Sequence, residues 1–308
     1  MPVRLAITGG NGFIGRHVVA AAVEGGHSVV AVVRSQEAAR LVGGLGAEAA
    51  LVPGLEQPSL QAAFDGAAGV IHLAQIGRER DGTTYDQVNV AGTEAVAAAA
   101  RRVGARRLVF LSGLGVGRYG VKPRCTNRYF LSKLAAEVCL FSSGLEVTVL
   151  RPSYVLGPGG ELVPTLVREL DGGEVEQIDD GAHRMQPIAV GDAAHVILAS
   201  LERVGPGPRV LDLVGPEPLR YADLVERVAA CVARRRPLPP YRLRSIRPEE
   251  ADRLARTGGY RGMQPDELDC LLCDEVGDPR ALVALLGRDL VPLDEALGIA
   301  VDAALAEG

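Results

Sequence analysis

A glycine-rich turn at residues 8–15 constrains the fold of this chain more than any other stretch of its sequence. An apolar strand, Val3–Ile7, precedes the turn, and a helical pattern, Arg16–Glu24, and a second strand, His27–Arg34, follow it. This order predicts a βαβ unit, in which one glycine permits the tight turn, one lets the backbone approach a diphosphate and one allows close helix packing. Free N–H groups at the start of the helix would face the phosphates. The turn is therefore predicted to bind a dinucleotide through Gly9, Gly12 and Gly15.

Predicted strands and helices continue to alternate as far as Arg151, which favours a parallel sheet with helices on both faces. The further predicted strands are Ala47–Val52, Gly69–Ala74, Arg107–Ser112 and Glu146–Arg151, and the predicted helices are Ser35–Gly43, Ser59–Phe64, Tyr85–Val103 and Tyr129–Phe141. Right-handed crossovers would place the carboxyl ends of all these strands along one edge, where ligands bind.

Beyond Pro152 prolines and glycines become frequent, for example at 205–208, and a smaller, mainly helical lobe is expected to cover that edge. Its predicted elements are the helices Leu162–Leu170, Asp192–Glu202, Tyr221–Ala233, Pro265–Val276, Pro279–Leu286 and Leu293–Leu305 and the strand Val210–Val214. We therefore expect an α/β protein with a Rossmann-type doubly wound parallel sheet. A dinucleotide-binding domain would span 1–155, with segments near 186–214 returning to it, and a smaller substrate or partner lobe would span 156–308.

Composition excludes several classes of protein. The 308 residues are 47% hydrophobic, enough for a large core, and a net charge of −5 gives no electrostatic reason to expect a nucleic-acid partner. The first predicted strand begins at Val3, and no apolar run approaches the length of a membrane span, so a cytoplasmic protein is expected. Five cysteines, an odd number, suit a reducing compartment.

The end of the second strand bears on the choice of cofactor. Proteins that bind NAD usually place a carboxylate there to accept hydrogen bonds from the adenosine ribose. Here the strand ends in Val33-Arg34-Ser35, and a guanidinium can bind a 2′-phosphate that a carboxylate would repel. NADP(H) is therefore predicted; the alternative is that Arg34 stacks on adenine and NAD(H) binds.

A tyrosine and a lysine four residues apart follow the fifth predicted strand. On the helix Tyr129–Phe141, Tyr129 and Lys133 share a face, so the phenol and the ammonium can point into one cleft. A nearby ammonium would lower the pKa of the phenol, because it stabilises the phenolate. Tyr129 is therefore predicted to be the acid/base for a substrate hydroxyl or carbonyl.

At this point the sequence resembles the extended and atypical branch of the short-chain dehydrogenase/reductase superfamily, the NAD-dependent epimerase/dehydratase-like proteins. The matching stretches, in order, are TGGNGFIG at 8–15, HLA at 72–74, NVAGT at 89–93, SGLGV at 112–116, YFLSK at 129–133, RPSYVLGPGG at 151–160 and QPIAVGDAA at 186–194. The stretch PDELDCLLCDEV at 265–276 adds a resemblance to bacterial relatives of the nucleotide-binding accessory subunit of mitochondrial complex I.

The resemblance implies roles for individual residues. Tyr129 would be the acid/base, and Lys133 would bind the nicotinamide ribose and tune the phenol. The residues that would contact the cofactor are Gly9, Gly12, Phe13, Ile14, Gly15, Arg34, Ser35, Leu55, Ala74, Lys133, Pro152 and Ser153. An unknown small molecule would be the substrate, and a homodimer or a quinone-related respiratory-chain partner is compatible with this assignment.

One departure from the family pattern leaves two functions open. The position that normally carries a Ser or Thr beside the catalytic tyrosine is Gly113, so one hydrogen-bond donor to the developing oxyanion is missing unless Ser112 or Thr126 replaces it. The first hypothesis is an NADP(H)-dependent oxidoreductase or epimerase-like enzyme acting on a small carbonyl, hydroxyl or quinone-type substrate. The alternative is a catalytically silent NADP(H)-binding protein with a structural, assembly or redox-sensing role.

No metal site is predicted. Cys270 and Cys273 form a single CxxC without a second pair or a nearby histidine, and at this spacing on a leucine-rich helix both sulfurs fit a buried face. His72 lies within an apolar strand and is predicted to be a core histidine rather than a base.

Overall fold

A central parallel sheet organises the molecule. The computed structural model describes residues 2–55, 57–202 and 209–307, so the proline- and glycine-rich stretch at 205–208 lies outside it. Within these ranges the sheet has seven strands in the order β3-β2-β1-β4-β5-β6-β7, every neighbouring pair being parallel. Its strands are β1 Arg4–Thr8, β2 Ser28–Val33, β3 Glu48–Leu51, β4 Gly69–His72, β5 Arg107–Leu111, β6 Glu146–Pro152 and β7 Arg209–Leu213. This order confirms the doubly wound Rossmann-type α/β fold.

Helices cover both faces of the sheet, because the inner strands are apolar on both of their sides. The helices of this part are α1 Phe13–Glu24, α2 Gln36–Gly44, α3 Gln57–Phe64, α4 Gly92–Arg102, α5 Arg128–Phe141 and α7 Val190–Glu202. The strand at 209–213 pairs with β6, so a segment that follows the start of the smaller lobe returns to the sheet.

The chain after β6 builds a smaller, mainly helical layer at the carboxyl edge of the sheet. Its helices are α6 Leu162–Asp171, α8 Tyr221–Ala233, α9 Pro248–Ala255, α10 Pro265–Leu272 and α12 Leu293–Glu307. The helix α11 Arg280–Leu286, predicted for this lobe, instead packs against α7 and β7 on one face of the sheet. A parallel pair of strands, Glu174–Ile178 and Arg242–Ile246, was not predicted from the sequence, and neither was α9. The predicted helix at 265–276 ends at Leu272, because Cys273 has an extended backbone.

The predicted long helix at 85–103 is wrong in detail. Residues Asp86–Ala91 form a π-helical segment, and the α-helix begins only at Gly92. Asn89, within the π-helical segment, accepts a hydrogen bond from the Ile76 backbone at 2.9 Å and donates one to the Ile76 carbonyl at 3.1 Å. Such segments are common near functional sites, and this one fixes the loop that follows β4.

Two arginines connect loops at the carboxyl edge of the sheet with the smaller lobe. Arg78 Nε donates to Glu267 Oε2 at 2.8 Å, and its Nη2 donates to the Gly262 carbonyl at 2.8 Å. Arg124 Nη1 lies 2.6 Å from Asp252 and 2.9 Å from Asp269. These ion pairs hold α9 and α10 above the carboxyl edge of the sheet. In the described part of the chain, no helix is both long and apolar enough to cross a bilayer.

Candidate functional site

The glycine turn between β1 and α1 has the geometry that a diphosphate requires. Gly9 has a φ of +73°, and a Cβ there would lie 2.7 Å from the Ala74 nitrogen. A Cβ at Gly15 would lie 2.0 Å from the Gly9 carbonyl oxygen, so this glycine lets α1 approach the turn. A Cβ at Gly12, which precedes α1, would lie 3.3 Å from the Gly9 carbonyl oxygen, a milder conflict, and no acidic residue stands in the first turn of α1. The amino end of α1 therefore presents backbone N–H groups to an anion.

A cleft of about 400 Å³ runs from this turn across the carboxyl ends of β1, β2 and β4. Its walls include five of the predicted cofactor-binding residues: Gly9, Gly12, Arg34, Leu55 and Ala74. A dinucleotide fits this cleft, because the glycines leave room for a diphosphate and the loops after β2 and β3 surround the far end.

At the far end of the cleft Arg34 is exposed and lies at the rim of an adjoining pocket lined also by Arg78, Arg80, Asp81 and Glu267. Arg78 is ion-paired with Glu267. No carboxylate occupies the residue after β2, which is where an NAD-type acidic residue would stand. Ser35 does not line the cleft; its hydroxyl caps α2 by accepting from the Ala38 nitrogen at 3.2 Å.

A second cavity, of about 680 Å³, opens between the sheet edge and the smaller lobe. Gln75 lines both this cavity and the dinucleotide cleft, so the two spaces adjoin at this side chain. Six of the predicted site residues line the second cavity: Phe13, Ile14, Ser112, Tyr129, Pro152 and Ser153. Much of the remaining wall is apolar and comes from both lobes, including Phe130, Val155, Leu162, Met263 and Leu271.

Gln75 joins the two predicted catalytic side chains, and sequence reasoning missed it. Lys133 Nζ donates to Gln75 Oε1 at 2.6 Å and to the Leu111 carbonyl at 2.7 Å. The Tyr129 hydroxyl lies 3.5 Å from the same Gln75 oxygen, a long contact. The helical spacing therefore does bring Tyr129 and Lys133 to one place, but the amide oxygen of Gln75 lies between them.

The predicted effect of Lys133 on the phenol is wrong. Burial raises the pKa of Tyr129 well above its usual value. Burial also lowers the pKa of the Lys133 ammonium to about 7, although Glu137 acts in the opposite direction, so Lys133 is only partly charged at neutral pH. Tyr129 is therefore a protonated phenol at neutral pH, so in this state it can donate a proton but cannot accept one.

Ser112 does not replace the missing donor. Its hydroxyl is buried and donates to Glu137 Oε1 at 2.6 Å, and Glu137 is also ion-paired with Arg151 at 2.6 Å. The single hydroxyl proton of Ser112 is thus committed to a carboxylate. Thr126 is exposed and donates to the Pro123 carbonyl. Neither side chain offers a hydrogen bond to a substrate in the cavity.

Gly113 is open to the cavity. Its backbone is extended, with φ −151° and ψ 144°, and a Cβ there would lie 3.9 Å from the Tyr129 hydroxyl, an ordinary contact. The space that a Cβ would need is therefore present, although the side chain is not.

Glu275, which sequence reasoning also missed, brings a carboxyl group to the cavity from the smaller lobe. The residue is buried and follows α10, where its nitrogen donates to the Arg184 carbonyl at 2.8 Å. Burial raises the pKa of its carboxyl to about 8, although the charge of Arg118 and a hydrogen bond from Ser153 favour the ionised form. Its distance from Tyr129 in the sequence left no local signal that could have revealed it.

The histidine and cysteine predictions can be compared with the structure directly. His72 is fully buried between Thr8 Oγ1 at 2.6 Å and Thr93 Oγ1 at 3.0 Å, and burial lowers its pKa to about 3, so it is a core histidine as predicted. Cys273 is buried against Cys125, and Cys270, which is partly buried, packs against the same cluster and also lines the cavity. Among the described residues no group of three or more metal-ligating side chains is found.

The fold and the site together define a dinucleotide-binding protein of the short-chain dehydrogenase/reductase type. The model of the NAD dependent epimerase/dehydratase family matches residues 5–213, more than half of the chain. The chain therefore belongs to the NAD-dependent epimerase/dehydratase family.

Two curated relatives are similar over most of their length. A 2-alkyl-3-oxoalkanoate reductase of Stenotrophomonas maltophilia (strain K279a) is 29% identical over 255 residues, which cover 75% of this chain and 76% of that protein. A 4-hydroxy-2-methyl-3-oxo-4-farnesyl-3,4-dihydroquinoline-1-oxide ketoreductase of Stigmatella aurantiaca is 30% identical over 239 residues, covering 72% of this chain and 71% of that protein.

A solved structure confirms the fold over the whole chain. The crystal structure of gox2253 superimposes with a TM-score of 0.79 at 19% identity and covers 100% of this chain and 99% of that one. At this identity the similarity shows the fold alone.

Proposed function

We propose that the protein is an NADP(H)-dependent reductase that converts an apolar 3-oxo compound to the corresponding alcohol. The observation that carries the proposal is the position of Tyr129, a protonated phenol at the junction of the dinucleotide cleft and an apolar cavity. The names of the two relatives, both of which specify reduction of oxo compounds, support the same chemistry.

Each part of the site would have a defined task. The glycine turn and the amino end of α1 would bind the diphosphate, and Lys133 would donate to the nicotinamide ribose in place of its present contact with Gln75. When bound, the nicotinamide supplies or accepts a hydride. Pro152 and Ser153 would support that ring, and Tyr129 would donate its proton to the substrate oxygen.

The direct test is turnover by the purified protein. We expect it to oxidise NADPH in the presence of ethyl 3-oxooctanoate, a stable 3-oxo ester, with a higher kcat/KM than with NADH. The loss of cofactor absorbance and the appearance of the hydroxy ester by mass spectrometry are the measurements. Tight NADPH binding without turnover of this ester or of shorter ketones would contradict the proposal.

The cofactor preference is tested at Arg34. We expect Arg34→Ala to weaken NADPH binding by about 10- to 100-fold, because a hydrogen-bonded ion pair with the 2′-phosphate is lost. NADH binding should hardly change. Titration calorimetry with both cofactors measures the difference, and Arg40→Ala, an exposed arginine on α2, is the matched control. Equal losses for NADPH and NADH would contradict the preference for NADP(H).

A second function is favoured by Gly113. A protein that lacks the usual hydroxyl donor beside Tyr129, and whose phenol is not activated by Lys133, is suited to bind NADP(H) without turnover. It would then act as a structural, assembly or redox-sensing partner, in keeping with the resemblance to bacterial relatives of the complex I accessory subunit and with a quinone-related partner.

Adding the missing hydroxyl separates the two functions. We expect Gly113→Ser to raise kcat/KM by about five- to tenfold, because a Cβ at this position makes only ordinary contacts and one added hydrogen bond is worth about 1 kcal/mol. Gly113→Ala supplies the Cβ without a donor and is the control. Steady-state rates with NADPH and the 3-oxo ester are the measurement, and no turnover by the wild type or Gly113→Ser would favour the silent protein.

A further inference from the structure

Glu275 is a buried carboxyl group that the proposed reduction has not yet used. Three carboxylates line the substrate cavity: Glu161, Glu267 and Glu275. Glu161 is exposed, and Glu267 is ion-paired with Arg78. Glu275 is buried and has no ion pair among the residues that the structure describes. It is therefore the buried carboxyl group of this cavity whose hydrogen-bonding capacity is not already taken by an ion pair among the described residues.

The place of Glu275 is fixed from two sides. Its backbone is held to the chain at Arg184 by a hydrogen bond of 2.8 Å and a parallel bridge to Met185. Its side chain lines the cavity together with Ser153, whose hydroxyl accepts a hydrogen bond from the Gln186 nitrogen at 3.1 Å. Ser153 directly follows β6, beside the position assigned to the nicotinamide. The carboxyl group is thus held at the reacting end of the cavity rather than at its rim.

We propose that Glu275 is a second hydrogen-bond donor of the active site: in its neutral form it donates to the substrate oxygen that Tyr129 protonates. The donor absent at Gly113 is thereby replaced by one that the smaller lobe supplies. This inference rests on the proposed function and deepens it. Glu275 keeps its proton throughout, because it only hydrogen-bonds the oxygen, and the transferred proton comes from Tyr129.

The electrostatic surroundings favour the neutral form of Glu275. Its raised pKa, about 8, leaves the carboxyl mainly protonated at neutral pH. Among the described groups that affect the Glu275 carboxyl, Arg118 is the one cation. The Arg118 guanidinium also donates a hydrogen bond to the Val276 carbonyl at 2.5 Å. The other titratable groups that face it are phenols and thiols, which are neutral at this pH, namely Tyr129, Tyr154, Cys270 and Cys273.

Two substitutions test the donor directly. Glu275→Leu removes the donor at similar volume, and Glu275→Gln retains an N–H donor that does not titrate. We expect Glu275→Leu to lower kcat/KM for ethyl 3-oxooctanoate by about 100-fold, the usual effect of losing one donor to a developing oxyanion. Glu275→Gln should stay within about tenfold of the wild type. We expect the melting temperature and the NADPH affinity to be unchanged in both variants. These two measurements show that each variant is folded and binds the cofactor.

The pH dependence of kcat/KM is a measurement that would not change if Glu275 had only a structural role. Because the active form is the neutral acid, kcat/KM of the wild type should fall as pH rises through about 8, and this fall should disappear in Glu275→Gln. Lys133 titrates near pH 7 in both proteins, so the difference between the two profiles isolates Glu275. Infrared difference spectra of the cofactor-free proteins should show a protonated carboxyl band at pH 7 that is absent from Glu275→Gln.

The outcomes are distinguishable from failure of the proposed function. A wild type that reduces the ester while Glu275→Leu matches it, or while Glu275→Gln is as impaired as Glu275→Leu, overturns the role of Glu275 alone. The role of Glu275 is also overturned if the pH profiles of the wild type and Glu275→Gln superimpose, or if the wild type shows no protonated carboxyl band at pH 7. A wild type without turnover of any carbonyl probe overturns the proposed reduction and the donor role with it.

Discussion

Tyr129→Phe is expected to abolish ketone reduction while leaving the cofactor in place. Removing the phenol hydroxyl removes the proton that the substrate oxygen requires, and general acid catalysis contributes about 10²- to 10⁴-fold. We expect kcat to fall by about 10³-fold, with the melting temperature and the dissociation constant for NADPH unchanged. The ring remains to pack against Tyr85 and Phe130, so the cavity keeps its shape. Steady-state kinetics together with fluorescence titration of NADPH are the measurements.

The matched control for Tyr129 is the neighbouring phenol Tyr85. Its ring packs against Tyr129, but its hydroxyl donates to the Gly77 carbonyl at 3.0 Å and does not line the cavity. Tyr85→Phe should therefore change the rate by less than about tenfold, the weight of one ordinary hydrogen bond. Equal losses in Tyr85→Phe and Tyr129→Phe would assign the effect to the packing of these rings and would contradict a proton-donating role for Tyr129.

Gly15→Ala should abolish dinucleotide binding. The new Cβ would lie 2.0 Å from the Gly9 carbonyl oxygen and 2.8 Å from the Gly10 Cα, both backbone atoms, so α1 must move away from the turn. We expect the dissociation constant for NADPH to rise by at least about 10²-fold, because a shift of about 1 Å misplaces the N–H groups that bind the diphosphate. Overpacking should also lower the free energy of unfolding by about 1–3 kcal/mol.

A glycine on a neighbouring helix is the control for that substitution. Gly43 lies exposed in α2, and a Cβ there would have nothing within 4 Å. Gly43→Ala should leave NADPH binding unchanged and stabilise the protein by about 0.5–1 kcal/mol, because alanine loses less backbone entropy in a helix. Denaturant unfolding and calorimetry compare the variants. Gly15→Ala with wild-type affinity for NADPH would show that α1 does not need this close approach.

The part of the site that rests on local geometry could be predicted from the sequence. Gly9 and Gly15 were found because a strand, a tight turn and a helix leave room for glycine alone, whatever the rest of the chain does. Arg34 was found because the end of β2 has a fixed relation to the turn. The pairing of Tyr129 with Lys133 followed in the same way from the helical period.

The part that depends on distant packing could not be predicted. Gln75 lies between Tyr129 and Lys133 because the carboxyl end of β4 meets α5, a relation between elements far apart in the sequence. The pKa of Tyr129 is raised rather than lowered because the smaller lobe buries the phenol. The spacing of residues along one helix does not predict which distant segment will bury a side chain. Ser112 was wrong as a donor because Glu137 and Arg151 form a buried ion pair beside it.

The bridges made by Arg78 and Arg124 have a consequence for how this molecule responds to alkali. Of its 33 basic residues only Lys122 and Lys133 are lysines. The cations that form ion pairs between the smaller lobe and the loops of the sheet are the guanidinium groups of Arg78 and Arg124. Guanidinium keeps its charge at any pH that a folded protein survives. The smaller lobe should therefore stay attached above the cleft as the pH rises, while the buried titratable groups of the cavity lose their protons. The protonation state of the site can then change without unfolding of the protein.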